Sequence, residues 1–472
     1  MLHRVVRFLV LGLVIVAVIA FSAGCGSSGA SAQTTGGSSS TAANTQTTGG
    51  SSSTAANTQT TGGSSSPAAN TQTTGGSSSP VVKVGVLLPL SGAAATSGKY
   101  QLEGMQLAVD YVNSHGGIDS MGGAQIELVT SDTAGDVQTA VTEIQRLISV
   151  EGVSAICGPF NSAVGASTAP LAIQNRIPYV LTNAIADNIL KSGQNKYVYR
   201  ANYGASDMAP FRLQVAQWLA SKKSTGKLSS IAIVYVNDDW GKSESSIWAE
   251  VAKQIGADVA VNEGINPNSS DLSSIVNKIK SANPDFVVVS VFLNDAVLLT
   301  KQMKQYEVTV PILGSGTGFS DNQYLPSVGS ENAEGVMFTR DFSPSFGTHN
   351  AEAAALYADY ESSHDNLPMP LETCNGWCGM GTLIEAIKTA GSADREAIAD
   401  ALFAMDLPAD SFPLWFSAFT GVKFNTAGDS LSRYNQNEAL GATAGQIVCQ
   451  IKSGVPQLVF PENLATASVV VK

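Results

Sequence analysis

From Val81 onward, short apolar runs rich in β-branched residues alternate with segments whose apolar positions recur every three or four residues. That alternation is the signature of βαβ units and a parallel sheet. The run Val82 to Leu88 reads as a buried strand. A small-residue loop, Ser91 to Gly98, leads into a helix with Leu102, Met105, Ala108, Val109 and Val112 on one face. The segment Asn113-Ser114-His115-Gly116-Gly117-Ile118 stops that helix with glycines. A strand at Gln125 to Thr130 follows, then a helix with Val137, Ala140, Val141, Ile144, Leu147 and Ile148 on one stripe, then a strand at Val153 to Cys157. Further strands are predicted at Tyr179–Thr182, Ile231–Val236, Val259–Val261, Phe286–Val291 and Ile312–Leu313. Two successive sets of units, split near Asn202 and Tyr203, predict two doubly wound lobes of parallel sheet flanked by helices. The last third adds helices at about Asn350–Ser363, Trp377–Ala390 and Arg395–Ala404, then β-like runs at Gln446–Lys452 and Leu458–Phe460.

The first 80 residues have a different character. Residues 1–25 carry Arg4 and Arg7, then a 14-residue uncharged run from Phe8 to Phe21, then small residues ending at Cys25. This is a secretory signal pattern, and 14 residues of helix cover only ~21 Å of a ~30 Å hydrocarbon core, which favours cleavage over anchoring. Ser22-Ala23-Gly24-Cys25 resembles a bacterial lipobox, with Ser22 in place of the usual leucine, so Cys25 is the expected lipidation site and membrane attachment by a lipid anchor is expected. From Gly26 to Pro80 there is neither a charge nor an aromatic, and QTTGGSSSTAANT or its near copy begins at Gln33, Gln46 and Gln59, a period of 13. Such a segment has no hydrophobic face with which to stack as a solenoid and is expected to be a flexible linker, about 40 Å in r.m.s. span.

Composition bounds the function. The chain has 26 Lys+Arg against 38 Asp+Glu, a formal charge of −12, and only 14% charged residues, below the ~25% usual for globular proteins. Without a basic run it lacks what displaces counterions from phosphates, so no nucleic-acid partner is expected. Five cysteines in 472 residues are too few for a disulfide scaffold.

The segments LLPLSGAAATSG, VNSHGGI and SDTAGDVQTAVTEIQRLISVEGVSAICGPFNSAVGASTAPLAIQNRIPYV, followed in order by IAIVYVNDDWGKS, PDFVVVSVFLNDAVLLTKQMK and ENAEGVMFT, resemble the leucine/isoleucine/valine-binding family. These are solute-binding proteins of ABC transporters with the type I periplasmic binding protein architecture. The resemblance covers roughly Val81 to Ala404. It implies two α/β lobes joined by a three-crossing hinge and closing on a small-molecule ligand, with an ABC permease as partner, no cofactor and no enzymatic step. The expected organisation is signal peptide 1–25, linker 26–80, first lobe 81–202 plus about 340–445, and second lobe 203–339 plus about 446–472. A sensor of the same fold, reporting ligand state to a membrane partner outside the cytoplasm, is the alternative.

Open α/β sheets bind ligands at the carboxyl ends of their strands, where helix N-termini offer unpaired N–H groups. Gly158-Pro159-Phe160-Asn161-Ser162 ends one strand and opens a helix. By spacing alone Ser162 is an N-cap bonding its own helix or a ligand donor; the resemblance implies the family's carboxylate-binding serine. Asn183-Ala184-Ile185-Ala186 matches a ligand loop of the family, with Ala184 as a backbone contact and Ala186 where a threonine is usual. Trp240 stands at the family's aromatic position, with Phe292 and Asn294 as further second-lobe candidates. Ser91 and Ser97 in the first loop and Thr317 in Gly314–Gly318 complete the candidate set. Ser97 replaces an aromatic found in leucine-type members, and no acid lies in Gly314–Ser320, where the family's partner for the ligand ammonium stands. An unpaired buried ammonium costs several kcal/mol. A zwitterionic ligand therefore needs another partner, Asp239 or Asp295, or the ligand is a carboxylate, an amide or an aromatic acid.

Three other motifs carry less. Gly428-Asp429-Ser430-Leu431-Ser432 looks like the block of a serine esterase family, but no histidine follows it to act as base. His115, His349 and His364 lack metal-ligand spacing, so no metal site is expected. Cys374 and Cys378 sit at i,i+4, where a local disulfide and two reduced buried thiols both fit, and Cys157 and Cys449 read as small hydrophobes.

Overall fold

A computed structural model describes residues 80–190, 195–340, 351–365, 367–408, 411–416, 421–424, 433–434 and 446–471. The signal and linker segments, Cys25 and the Gly428–Ser432 block lie outside the described residues. The first sheet contains β1 (Val81–Leu88), β2 (Gln125–Asp132), β3 (Ala155–Cys157), β4 (Tyr179–Leu181) and β5 (Val198–Arg200), all parallel in the order β2-β1-β3-β4-β5. The second contains β6 (Ser230–Val236), β7 (Asp258–Ile265), β8 (Phe286–Ser290), β9 (Ile312–Gly314) and β10 (Met337–Arg340). A three-stranded antiparallel sheet of β11 (Asp406–Pro408), β12 (Gly421–Lys423) and β13 (Arg433–Tyr434) follows. The hairpin of β14 (Ile447–Lys452) and β15 (Val455–Phe460) then pairs antiparallel with β10, giving the second sheet the order β15-β14-β10-β9-β8-β6-β7.

Helices α1 (Ala95–Ser114), α2 (Val137–Ser149) and α3 (Ser162–Gln174) flank the first sheet. The second carries α4 (Ala209–Lys222), α5 (Asp239–Ile255), α6 (Ser273–Ala282), α7 (Leu293–Gln305) and the short α8 (Thr317–Ser320), α9 (Tyr324–Val328) and α10 (Ser330–Ala333). The remaining helices, α11 (Ala351–Ser363), α12 (Leu371–Ala390) and α13 (Arg395–Phe403), contribute Tyr357, Trp377 and Ile398 to the core of the first lobe. The chain therefore passes between the sheets after β5, after β10 and between β12 and β14.

Local chemistry explains the element ends. Asp136 accepts from the Thr139 amide at 2.8 Å to cap α2, whose Ala140, Ile144, Leu147 and Ile148 are buried. Asp238 caps α5 in the same way through Gly241. α12 begins at Leu371, six residues before the Trp377 start that hydropathy predicts. Its first turns hold Glu372, Thr373, Asn375 and Gly376, all buried, because α1 and α12 meet backbone to backbone. A Cβ at Gly104 would lie 1.9 Å from the Thr373 carbonyl oxygen, and one at Gly376 would lie 2.1 Å from that of Gln101. Apolar periodicity is blind to an interface made by missing side chains. β5 and β10 are likewise not predicted: each ends in a buried arginine, Arg200 or Arg340, which interrupts the apolar run that marks the other strands. Cys157, Cys374, Cys378 and Cys449 are buried and reduced, so the Cys374–Cys378 pair forms no disulfide here.

Candidate functional site

The carboxyl ends of the parallel strands of both sheets face one cavity, whose empty space, including its mouth, is about 520 Å³. Phe160, Asn161 and Ser162 enter it from the β3–α3 turn, and Asn183 and Ile185 from the loop after β4. From the second sheet come Asp238 and Trp240 after β6, Phe292 after β8, Gly316 and Thr317 after β9, and Thr339 in β10. Tyr203 and Gln446, at two of the chain crossings, and Leu371 at the start of α12 close the remaining side. The Gln446 amide donates to the Tyr203 hydroxyl at 2.9 Å, joining those two crossings.

One wall is polar. Asn161 is the N-cap of the 13-residue α3 but makes no side-chain cap bond, so the first amides of that helix keep their N–H groups and the positive end of its dipole for something outside the helix. The Ser162 hydroxyl oxygen is buried and accepts from the Ala186 amide at 3.2 Å, leaving its own proton to donate. Asn161 Oδ1, and Thr317 Oγ1 from the opposite lobe, are buried without a hydrogen-bond partner. Such atoms cost about 1–3 kcal/mol each unless a partner reaches them.

The other wall is aromatic. The Trp240 indole lies 5.6 Å from the Phe292 ring, and Phe292 lies 6.1 Å from Phe160 of the first lobe. Gly316 makes room for the indole: its φ is +99°, and a Cβ there would sit 2.5 Å from Trp240 Cζ2. Behind this wall Arg212 forms a bidentate ion pair with Glu244, at 2.5 to 3.1 Å and almost wholly buried. Glu244 also accepts from the Ser315 hydroxyl at 2.9 Å, which fixes the start of the Gly316 turn.

Among the described lining residues there is no Lys or Arg, and Asp238 is the one carboxylate. Burial raises its carboxyl to about 6, against the amides of Gly241 and Trp240 that oppose the shift. Neither acid singled out in the sequence occupies this place. Asp239 lies one residue on, in the first turn of α5, and does not line the cavity. Asp295 is fully buried elsewhere in the second lobe, accepting from the Asn268 and Ser269 amides at 3.0 and 2.8 Å.

Of the predicted site residues, Ser162, Trp240, Phe292 and Thr317 meet in this cavity, and Ser91, Ser97, Ala184 and Asn294 do not line it. Ser91 is exposed and held through its backbone amide by Asp132 at 3.2 Å. Ser97 is buried in the first turn of α1, beside the close contact of Gly98 with the Pro89 carbonyl. Ala184 has its carbonyl turned to Arg200 and its methyl against Gly165. Asn294 is exposed, its amide donating to Asn268 at 2.8 Å. The sequence reading passes over Tyr203, Thr339, Leu371 and Gln446 as contributors; Thr339 lies inside the unpredicted β10, and the other three lie at boundaries between elements, where no local pattern marks them.

The chain is similar to known proteins along most of its length. Residues 81–427 match the family described as periplasmic binding protein. The Leu/Ile/Val-binding protein homolog 7 of Brucella suis biovar 1 is 28% identical over 395 residues, which span 82% of this chain and 93% of that protein. The fold resembles that of the branched-chain amino acid transporter substrate-binding protein LivJ from Streptococcus pneumoniae in complex with isoleucine, with a TM-score of 0.66, 21% identity, and coverage of 80% of this chain and 99% of that one. It equally resembles a solute-binding protein of an ABC transporter from R. palustris in complex with benzoate, with a TM-score of 0.66, 20% identity, and coverage of 83% and 98%.

Proposed function

This chain belongs to the periplasmic binding protein family, and on that premise we propose that it captures a small solute with an anionic or amide head and an apolar body, an amino acid or related carboxylate or amide, and delivers it to an ABC importer. The observation that carries this reading is the pairing of the unspent α3 N-terminus and Ser162 with an aromatic wall supplied by both lobes. The helix end accepts a carboxylate or carbonyl oxygen, and Phe160, Trp240 and Phe292 cover the body. Two structural relatives hold ligands of that kind, isoleucine and benzoate. Asp238 and Thr317 offer acceptors to a donor on the side of the second lobe.

No covalent chemistry is needed. A ligand that touches both lobes stabilises the closed arrangement by its differential affinity, and one that touches a single lobe shifts nothing. Lipidation at Cys25, with residues 26–80 as tether, would keep the lobes beside a membrane permease. A thermal-shift screen of the protein lacking residues 1–25 against aliphatic amino acids, aromatic acids and short amides tests the reading. Ligand at a hundredfold excess over Kd stabilises by about 2.7 kcal/mol, and a panel without any shift contradicts it.

A further inference from the structure

The loop between β4 and β5 is bonded in two directions through one peptide unit. Its N–H, on Ala186, donates to the Ser162 hydroxyl oxygen at 3.2 Å. Its carbonyl, on Ile185, accepts from the Ala205 amide at 2.7 Å. Ala205 lies just beyond the first chain crossing, so this unit touches both the hydroxyl at the cavity and the backbone of the hinge.

Arg200 grips the same loop from behind. Its Nε donates to the Ala184 carbonyl at 3.1 Å and its Nη2 to the Ala186 carbonyl at 2.9 Å, one on each side of the bonded unit. The residue is 2% exposed. Burial lowers its guanidinium to about 10, and Asp187 and Asp207 hold it charged from the two ends of the loop and crossing. Gly204 is packed onto it so closely that a Cβ would meet Arg200 Nη1 at 2.7 Å. Removing a cation from water this completely is expensive, and apolar packing serves stability at least as well. The arrangement makes sense if the direction of those two carbonyls is what the site requires.

We propose that Arg200 is a positioning residue for ligand binding, fixing the Ile185–Ala186 peptide so that Ser162 accepts from it and aims its own O–H at the ligand. Through Ala205 the same clamp ties ligand occupancy to the hinge. This rests on the reading that the ligand head sits at the α3 N-terminus, where Ser162 is. Arg200 does not line the cavity, so its effect passes through Ser162.

The test is a double-mutant cycle on purified protein with Arg200→Lys, Ser162→Ala and the double variant, titrated calorimetrically with L-isoleucine and with benzoate. Lysine keeps the charge but cannot reach both carbonyls in a fixed fork. Arg200→Lys is expected to weaken binding at least tenfold alone and no more than twofold in the Ser162→Ala background. An equal loss in both backgrounds, or no loss, overturns the proposal. Hydrogen exchange of the ligand-free protein is read in parallel: Arg200→Lys is expected to speed exchange at Ala186 at least tenfold, and unchanged protection overturns the proposal. If neither probe binds the parent, the reading of the cavity as their site fails, and the exchange result alone decides on Arg200.

Discussion

Phe160 and Phe292 stand 6.1 Å apart across the cleft, one at the carboxyl end of a strand in each sheet. Trp240 lies 5.6 Å from Phe292, and these two second-lobe rings share one buried cluster with Phe160 and the core of the first lobe. Removing the innermost ring tests whether this wall meets a ligand. Trp240→Ala is expected to weaken binding by at least ~1 kcal/mol, about fivefold, while the fold persists. Calorimetry on a thermal-shift hit checks this, and unchanged affinity takes Trp240 out of the site.

Gly316 is where the wall has no slack. Alanine there meets both the left-handed backbone, φ +99°, and the indole at 2.5 Å. Gly316→Ala is therefore expected to drive Trp240 into the cavity and to cost about 1–3 kcal/mol of stability. A lower melting temperature should accompany selective loss of the bulkier ligands; a variant that binds large and small ligands as the parent does would show that the indole has room elsewhere.

Asp321 supplies a pH signature. Its residue is 4% exposed, Oδ2 has no hydrogen-bond partner, and burial raises its carboxyl to about 6 from 3.8. The folded state thus binds this proton more tightly than the unfolded state, so the contribution is full below pH ~4 and is lost as pH rises through ~6. Asp321→Asn keeps an acceptor for the Gln323 amide and removes the charge. It should raise stability above pH 7 by about 3 kcal/mol and leave it nearly unchanged at pH 4. Urea unfolding at the two pH values reads the difference, and an equal effect at both would exclude titration of Asp321 as its cause.

The Arg212–Glu244 pair behaves oppositely to a surface salt bridge, because both side chains are almost fully buried. Glu244→Gln leaves the guanidinium unpaired in the core and should cost about 3–5 kcal/mol. It also loosens Ser315 and so the Gly316 turn. Chemical denaturation measures the first effect, and a loss under 1 kcal/mol would mean that water reaches the pair.

Cys25→Ser should release the protein from membranes, since the uncharged run before it is too short to span them. Fractionation checks this, and continued membrane retention would point to an uncleaved anchor.

The fold was legible because βαβ periodicity is written in Val82–Leu88, in the α2 stripe from Val137 to Ile148 and in the runs after Tyr203. Four of the eight predicted site residues line the cavity for the same reason: Ser162, Trp240, Phe292 and Thr317 follow strands directly, and parallel strands bring their carboxyl ends together. Asn294 and Ala184 follow strands too, yet a single residue step turns a side chain or carbonyl away from the cavity. Sequence does not show which of the adjacent acids Asp238 and Asp239 caps the helix beside the cleft, and the structure gives that place to Asp238. Tyr203 and Gln446 are 243 residues apart, and only the crossing geometry places them side by side.

In the proposed arrangement one ligand is held by both lobes, its head at the α3 N-terminus and its body on the aromatic wall. Calorimetric titration of a thermal-shift hit into the parent, Ser162→Ala and Phe292→Ala tests it most directly. Both substitutions, one in each lobe, are predicted to weaken binding about tenfold with the fold retained. Undiminished affinity in both variants would contradict the account.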